Sequence, residues 1–264
     1  MKKKLIYPER ADFESFLRNH TSMETANQFG MSRATVNRLI TKWNIPSVYE
    51  RHQYPNELNK LQLDVITGNM LGDGSLSYIK PKRDVNSHFA LVQKDSRIDY
   101  VTYIHDLLSP LSGEIRITKS PCPKMVDKKI IHNPDKFCYS CYFHTIRSPV
   151  FTRLRSKWYA ESHMPKSRKV VPRDLKLNWR IVAIWMCDDG CNMNRCIKLS
   201  TESFAKDDVD FLIGRMSELG IVSHPQHRCD NKYTIYIGAK SYDYFIDSIK
   251  PHITFPSMSY KVER

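Results

Sequence analysis

One short motif occurs twice in this chain. Ile66-Thr67-Gly68-Asn69-Met70-Leu71-Gly72-Asp73-Gly74 is an apolar, helix-compatible run that ends in an acid followed by glycine. Val182-Ala183-Ile184-Trp185-Met186-Cys187-Asp188-Asp189-Gly190 repeats the plan far downstream. One such helix constrains little. Two of them suggest a paired-carboxylate centre assembled by internal duplication, an arrangement suited to divalent-metal chemistry on phosphates.

Residues outside the motif support the duplication. After the first copy comes Asp99-Tyr100-Val101-Thr102-Tyr103-Ile104, then Leu108-Ser109 and Leu111. After the second comes Asp207-Asp208-Val209-Asp210-Phe211-Leu212, then Met216-Ser217 and Leu219. Both segments carry helical spacing and reach glycine soon after the last leucine, at Gly113 and Gly220. Pro165-Lys166-Ser167-Arg168-Lys169-Val170 is echoed by Pro256-Ser257-Met258-Ser259-Tyr260-Lys261-Val262. Amphipathic helices resemble each other, so a single block proves nothing. Three blocks in one order predict two similar halves, the first with longer insertions.

The charge balance points to an acidic partner. The chain has 41 Lys+Arg against 28 Asp+Glu, a net charge of +13, and a protein this basic attracts polyanions. The bases are spread through Lys80-Pro81-Lys82-Arg83, Lys128-Lys129, Arg153 to Lys157, Lys166 to Lys169 and Arg228 to Lys232. No apolar run is long enough to span a bilayer, and Met1-Lys2-Lys3-Lys4 lacks the apolar stretch of a signal peptide. An intracellular protein with no membrane partner is expected, the choice between bacterial or phage cytoplasm and an organelle matrix staying open. Seven cysteines, an odd number, argue against a disulfide framework. Cys138-Tyr139-Ser140-Cys141 has no convincing second ligand pair for zinc, so free and mostly buried thiols are expected.

Residues 1–46 read as a separate module, followed by a polar linker over 47–60. Asp12 to Asn19 has helical spacing. Ser22 is placed to cap a short helix through Phe29, and Ser32 to cap another through Trp43, with Gly30 between them. This pair resembles a helix-turn-helix DNA-binding unit. Ala26, Val36 and Ile40 are expected to pack the helices, leaving Arg33, Thr35, Asn37 and Arg38 facing outward toward bases and phosphates.

The motif helices, with Leu71-Gly72-Asp73-Gly74 in one and Trp185-Met186-Cys187-Asp188-Asp189-Gly190 in the other, resemble the LAGLIDADG homing endonucleases of the single-chain kind. The resemblance covers Leu61 to Arg264. It extends to the flanks, where Lys169 precedes the second motif and Tyr260-Lys261 stands near the end. It implies an α+β fold with two pseudo-symmetric αββαββα halves, 61–165 and 179–264, joined by 166–178. The motif helices would pack at the centre, and two saddle-shaped antiparallel sheets would straddle double-stranded DNA. Local patterns agree, with strand-like runs at Ser75 to Ile79, His88 to Val92, Ile115 to Ile117, Tyr139 to Phe143, Cys196 to Ser200 and Tyr233 to Ile237. Candidates for the DNA face are Ser75, Ser77, Lys80, Arg83, Gln93, Arg116, Lys119, Asn192, Asn194, Lys198, Gln226, Arg228 and Lys232.

The resemblance also implies the chemistry. Asp73 and Asp189 would be catalytic and hold Mg²⁺, with Gly72 and Asp188 beside them in the metal site. Mn²⁺ would substitute, and Ca²⁺ would bind without supporting cleavage. Of the two acids in the second motif, Asp189 is preferred because it alone aligns with Asp73 before the glycine. Lys169 and Lys261 would polarise water or neutralise charge, and Gln93, Thr201 and Ser203 are candidates for orienting water. Ile184 departs from the first motif's Gly68, so Ala183 and Cys187 are expected to form a small ridge in a shifted register. Three activities fit this reading. One is site-specific double-strand cleavage by a monomer at a long asymmetric target; another is regulation of transcription without cutting; the third is maturase assistance to splicing, with intron RNA as partner.

Overall fold

The computed structural model describes residues 7–20, 22–46, 54–77, 86–126, 129–161 and 167–264. The chain divides into two compact units, Met1–Pro55 and Asn56–Arg264. Of the expected linker, 47–53 lie outside the described residues, as do the expected DNA-face residues Lys80 and Arg83.

The N-terminal unit holds three helices: α1 (Arg10–Asn19), α2 (Ser22–Gln28) and α3 (Arg33–Lys42). Phe13, Leu17, Ala26, Met31, Val36, Leu39 and Ile45 form its core, with Phe29, Ile40 and Trp43 packed against it. Phe13 anchors this core, its ring 5.2 Å from Trp43 and 5.8 Å from Phe29. Gly30 joins α2 to α3 at φ +62, a conformation that only glycine adopts freely. Ser32 caps α3 by accepting from the Thr35 amide at 3.2 Å. Leu39, more than the expected Ile40, is the buried partner of Val36.

In the larger unit, α4 (Lys60–Leu71) leads into β1 (Ser75–Leu76), β2 (Phe89–Lys94), α5 (Ile98–Leu107), β3 (Arg116–Val126), β4 (Lys129–His144) and α6 (Pro149–Trp158). Then α7 (Trp179–Asp189) leads into β5 (Gly190–Asn192), β6 (Ile197–Leu199), α8 (Lys206–Ser217), β7 (Ser223–His227), β8 (Tyr233–Ile237) and α9 (Ala239–Ile249). The two sheets have the same antiparallel order, β1-β2-β4-β3 and β5-β6-β8-β7. The duplication seen in sequence is therefore a duplication of αββαββα topology. The first half carries the longer hairpin: β3 and β4 run 11 and 16 residues, against 5 each for β7 and β8. Among the described residues no helix is long and apolar enough to cross a membrane.

Each motif helix is capped at its start. Asn59 and Gln62 form a reciprocal capping box on α4, and Asn178 accepts from the Ile181 amide on α7. Both helices are buried on nearly every side, which their unbroken apolar sequences require. They touch each other through Gly68 and Gly72. A Cβ added at Gly68 would lie 2.6 Å from Ile184 Cβ, and one at Gly72 would lie 2.4 Å from Asp188 Cβ. The expected small ridge of Ala183 and Cys187 is therefore not what meets these glycines. Each of these two glycines of the first motif makes room for the larger residue at the equivalent position of α7.

The cysteine expectation is corrected. Cys122 and Cys138 are disulfide-bonded across the β3–β4 hairpin, with Cα atoms 5.2 Å apart. That pairing depends on strand alignment, which spacing alone does not show. Cys141 and Cys187 are free and buried, whereas Cys191 and Cys229 are exposed.

Candidate active site

The two motif helices end side by side, and their acids differ in environment. Asp73 follows the last turn of α4 and is exposed; Asp189 is the last residue of α7 and is half-buried. The glycine after each acid is required by close approach. A Cβ at Gly74 would lie 2.7 Å from Asn69 Cβ, and one at Gly190 would lie 2.6 Å from the Met186 carbonyl oxygen. Burial and the nearby charge of Asp73 push the Asp189 carboxyl up to about 6, opposed by Lys169 and Lys261. A neighbouring carboxylate raises an acid in this way when the two lie close enough for their charges to repel.

Asp188, expected beside the metal, is instead turned into the helix interface and fully enclosed. Its Oδ1 accepts from the Tyr100 hydroxyl at 2.7 Å and from Gln93 Nε2 at 3.1 Å. Its Oδ2 accepts from Asn69 Nδ2 at 2.9 Å and from the Asp73 amide at 3.2 Å. Burial and Asp73 push its pKa up to about 8, while the donors Asn69 and Tyr100 pull the other way. Occupied lone pairs and lack of access make it unsuited to hold an ion. Tyr100, Asn69 and Arg97 belong to this cluster and were not singled out from sequence, because apolar helical spacing gives no hint of a polar network inside it.

The two lysines sit at echoing places. Lys169 follows α6 and donates through Nζ to the carbonyl oxygens of Gly72 at 2.8 Å and Met70 at 3.1 Å. Burial lowers its pKa, opposed by the negative charges of Asp188, Asp189 and Asp73. Lys261 is buried in the final 3₁₀ segment (Pro256–Lys261) and donates to the Gly190 carbonyl oxygen. The Gly72 carbonyl, expected in the metal site, is engaged by Lys169.

Strand parity sorts the candidates for the DNA face. In the first sheet Leu91, Gln93, Cys141 and Phe143 face the helices and are buried. Gln93 is corrected accordingly: it points into the cluster of acids, donating to Asp73 Oδ2 at 2.8 Å. Lys119, opposite Tyr139, shares the parity of Cys141, and its ammonium rests 3.9 Å from the Phe137 ring centroid, so it too leaves the outer face. Arg116 lies opposite Tyr142, itself opposite Val92, and stays on the outer face. Ser75 lies opposite Ala90 on the outer side, while Ser77 is held by the His88 amide.

In the second sheet Ile197, Leu199, Ile235 and Ile237 face inward. Lys198 is outward, aligned with Cys191 and Tyr236, and Tyr236 in turn lies opposite His224. Gln226 is exposed opposite Thr234. Arg228 and Lys232 are exposed at the end of the β7–β8 hairpin, and Asn194 is exposed in the β5–β6 turn at φ +53. Asn192 is corrected: it lies opposite Ile197 and ties down the C-terminal segment through the carbonyl oxygens of Lys261 and Glu263. Thr201 is buried, donating to the Tyr233 carbonyl at 2.7 Å, and Ser203 is exposed in the loop that follows. Tyr142, His224 and Tyr236 are outer-face residues that the sequence reading omitted; counting alternate positions from the buried Cys141 and Ile235 finds them.

On α3, Arg33, Asn37 and Arg38 are exposed. Thr35 is buried, bonded to Ser32, and so does not face outward. Its place in the first turn, one residue before the core residue Val36, turns it toward the cap.

Comparison with known proteins agrees with this architecture. Residues 63–245 match the model of the LAGLIDADG DNA endonuclease family. The chain belongs to that family. It is 27% identical over 209 residues to cytochrome b mRNA maturase bI2 of Debaryomyces hansenii, covering 78% of this chain and 74% of that protein. It is 28% identical over 220 residues to probable intron-encoded endonuclease 1 of Wickerhamomyces canadensis, covering 78% and 85%. A solved structure of the homing endonuclease I-WcaI bound to its DNA recognition sequence superposes with a TM-score of 0.66 and 22% identity, covering 83% of this chain and 93% of that one.

Proposed function

We propose that this protein is a site-specific DNA endonuclease that hydrolyses one phosphodiester in each strand of a long asymmetric duplex, acting as an intracellular monomer. The observation that carries the reading is the pair of acids, exposed Asp73 and half-buried Asp189, at the adjoining ends of the motif helices, with Lys169 bound to the carbonyl oxygen just before Asp73. The residues fit a divalent ion of the Mg²⁺ type. Among the described residues no three His, Cys, Asp or Glu side chains are grouped to hold a metal by themselves. Mg²⁺ commonly uses one or two carboxylates and completes its shell with water and substrate phosphate. Asp73 and Asp189 would hold it, and when bound it supplies charge neutralisation at the phosphate and a more acidic water. Mn²⁺ is expected to substitute, and Ca²⁺ to support binding alone.

The protein's own groups have separate tasks. Gln93 orients the Asp73 carboxylate. Lys169 and Lys261, fixed by backbone carbonyls, offset negative charge at the two ends of the centre. Arg116, Lys198, Gln226, Arg228 and Lys232 present donors from the sheets and hairpin, and Arg33, Asn37 and Arg38 do so from α3.

The test is cleavage of a randomised duplex library in Mg²⁺, beside Ca²⁺ and an Asp73→Asn/Asp189→Asn variant. Specific double-strand cuts in Mg²⁺ that vanish in the variant support the reading. Enrichment of one bound duplex that no divalent ion causes to be cut would favour the regulator. The likeness to a cytochrome b mRNA maturase favours one second reading, assistance to intron splicing, for which a salt-resistant preference for intron RNA over DNA is the expected sign.

A further inference from the structure

We propose that Asp188 is a positioning residue: through Gln93 it fixes the Asp73 carboxylate, and so makes the two halves of the centre unequal. This rests on the endonuclease reading and deepens it.

Both hydrogens of the Gln93 amide nitrogen are used. One goes to Asp73 Oδ2 at 2.8 Å and the other to Asp188 Oδ1 at 3.1 Å. The Gln93 carbonyl oxygen accepts from Arg97 Nη1 at 2.8 Å, so both ends of the carboxamide are held. Asp188 is itself immobile, buried between the motif helices and bonded to Tyr100 and Asn69. Asp73 is exposed and would otherwise sample several rotamers. The chain of contacts runs from a rigid interface to a mobile acid.

The second half lacks this device. The position equivalent to Asp188 is Gly72, also one residue before the acid. The position equivalent to Gln93 is Thr201, by the matching registers Ser75 with Ala90 and Cys191 with Lys198. Thr201 donates to a backbone carbonyl and not to Asp189. Among the described residues the Asp189 carboxylate accepts no side-chain hydrogen bond. Gly72 is also what admits Asp188, since any side chain there would meet its Cβ. A single break of the pseudo-twofold thus creates both the space and its occupant.

Strand-resolved cleavage tests this. Wild type, Asp188→Ala, Asp188→Asn, Gln93→Ala and the Asp188→Ala/Gln93→Ala double variant are compared under single turnover on an end-labelled target in Mg²⁺. Asp188→Ala is expected to slow one strand by about 10–100-fold, the range seen when an outer contact to a metal-binding group is lost. The other strand stays within about twofold, nicked product accumulates, and duplex affinity measured in Ca²⁺ is unchanged. Asp188→Asn, whose Oδ1 still accepts from Gln93, restores most of the rate. Gln93→Ala gives the same strand bias, and the double variant is no worse than Gln93→Ala alone, as expected of groups acting in series.

Equal slowing of both strands by Gln93→Ala or Asp188→Ala, or losses that multiply in the double variant, would overturn the proposal. If wild type cuts nothing, the endonuclease reading fails instead. The Gln93 side-chain amide resonances then decide, because they report the contact without catalysis. They must be distinct and slow to exchange in wild type, unchanged in Asp188→Asn and averaged in Asp188→Ala; insensitivity to Asp188 sinks the idea.

Discussion

Asp188 and Asp189 are neighbours in the chain with opposite surroundings. The turn of α7 aims one into the interface and leaves the other at the helix end. At Asp73 and Asp189 the expected result of substitution to asparagine is a loss of cleavage on the order of 100-fold or more per strand, with duplex binding kept, read from single-turnover rates. Stability has its own signature. Burial raises the pKa of both Asp188 and Asp189, so the folded protein releases these protons at a higher pH than the unfolded chain, which releases them at pH ~4. Their contribution therefore falls as pH rises, from about pH 4 to about 6 for Asp189 and to about 8 for Asp188, by up to roughly 1.4 kcal/mol per unit for each proton. The titratable groups that act with Asp188 are Asp73, Asp189, Tyr100, Cys187 and Lys169. Asp188→Asn is expected to flatten the decline in urea midpoint between pH 5 and pH 8; an unchanged slope would show that Asp188 is ionised throughout.

At the scale of elements, the motif helices are placed by backbone contact as much as by apolar burial. Gly68 stands against Ile184 with no room for a methyl group. Gly68→Ala should cost about 1–3 kcal/mol, the usual penalty for overpacking a filled core, measured by denaturant unfolding. Ser32→Ala should cost about 0.5–2 kcal/mol, confined to the N-terminal unit, because it removes the cap of α3. Glycine at 74 and 190 looks at first like a turn requirement, but neither residue has positive φ. What excludes a side chain is the preceding helical turn. The sheets teach the same lesson. Arg116 and Lys119 are both basic and both on β3, yet their odd spacing places them on opposite faces.

At the scale of the molecule, a net charge of +13 is spread over two separately packed units. Removal of residues 1–55 is expected to leave cleavage by 56–264 intact while weakening duplex binding and reducing the steepness of its salt dependence. Binding measured across a salt series checks this; an unchanged slope would take α3 off the DNA.

The repeated motif and its flanking echoes were enough to show two similar halves, each with an apolar helix ending in Asp-Gly, because helical period, capping residues and glycine placement act over a few neighbouring residues; the αββαββα topology and the family came from the resemblance those motifs carry. The helices of the N-terminal unit were legible for the same local reason. The Cys122–Cys138 bond, the inward turn of Gln93 and Asn192, and the enclosure of Asp188 were not. Each depends on which residue of a distant strand or helix lies opposite, and a shift of one position reverses the face. Only packing the two halves together turned one of two adjacent aspartates into a buried support and left the other open to its partner across the pseudo-twofold.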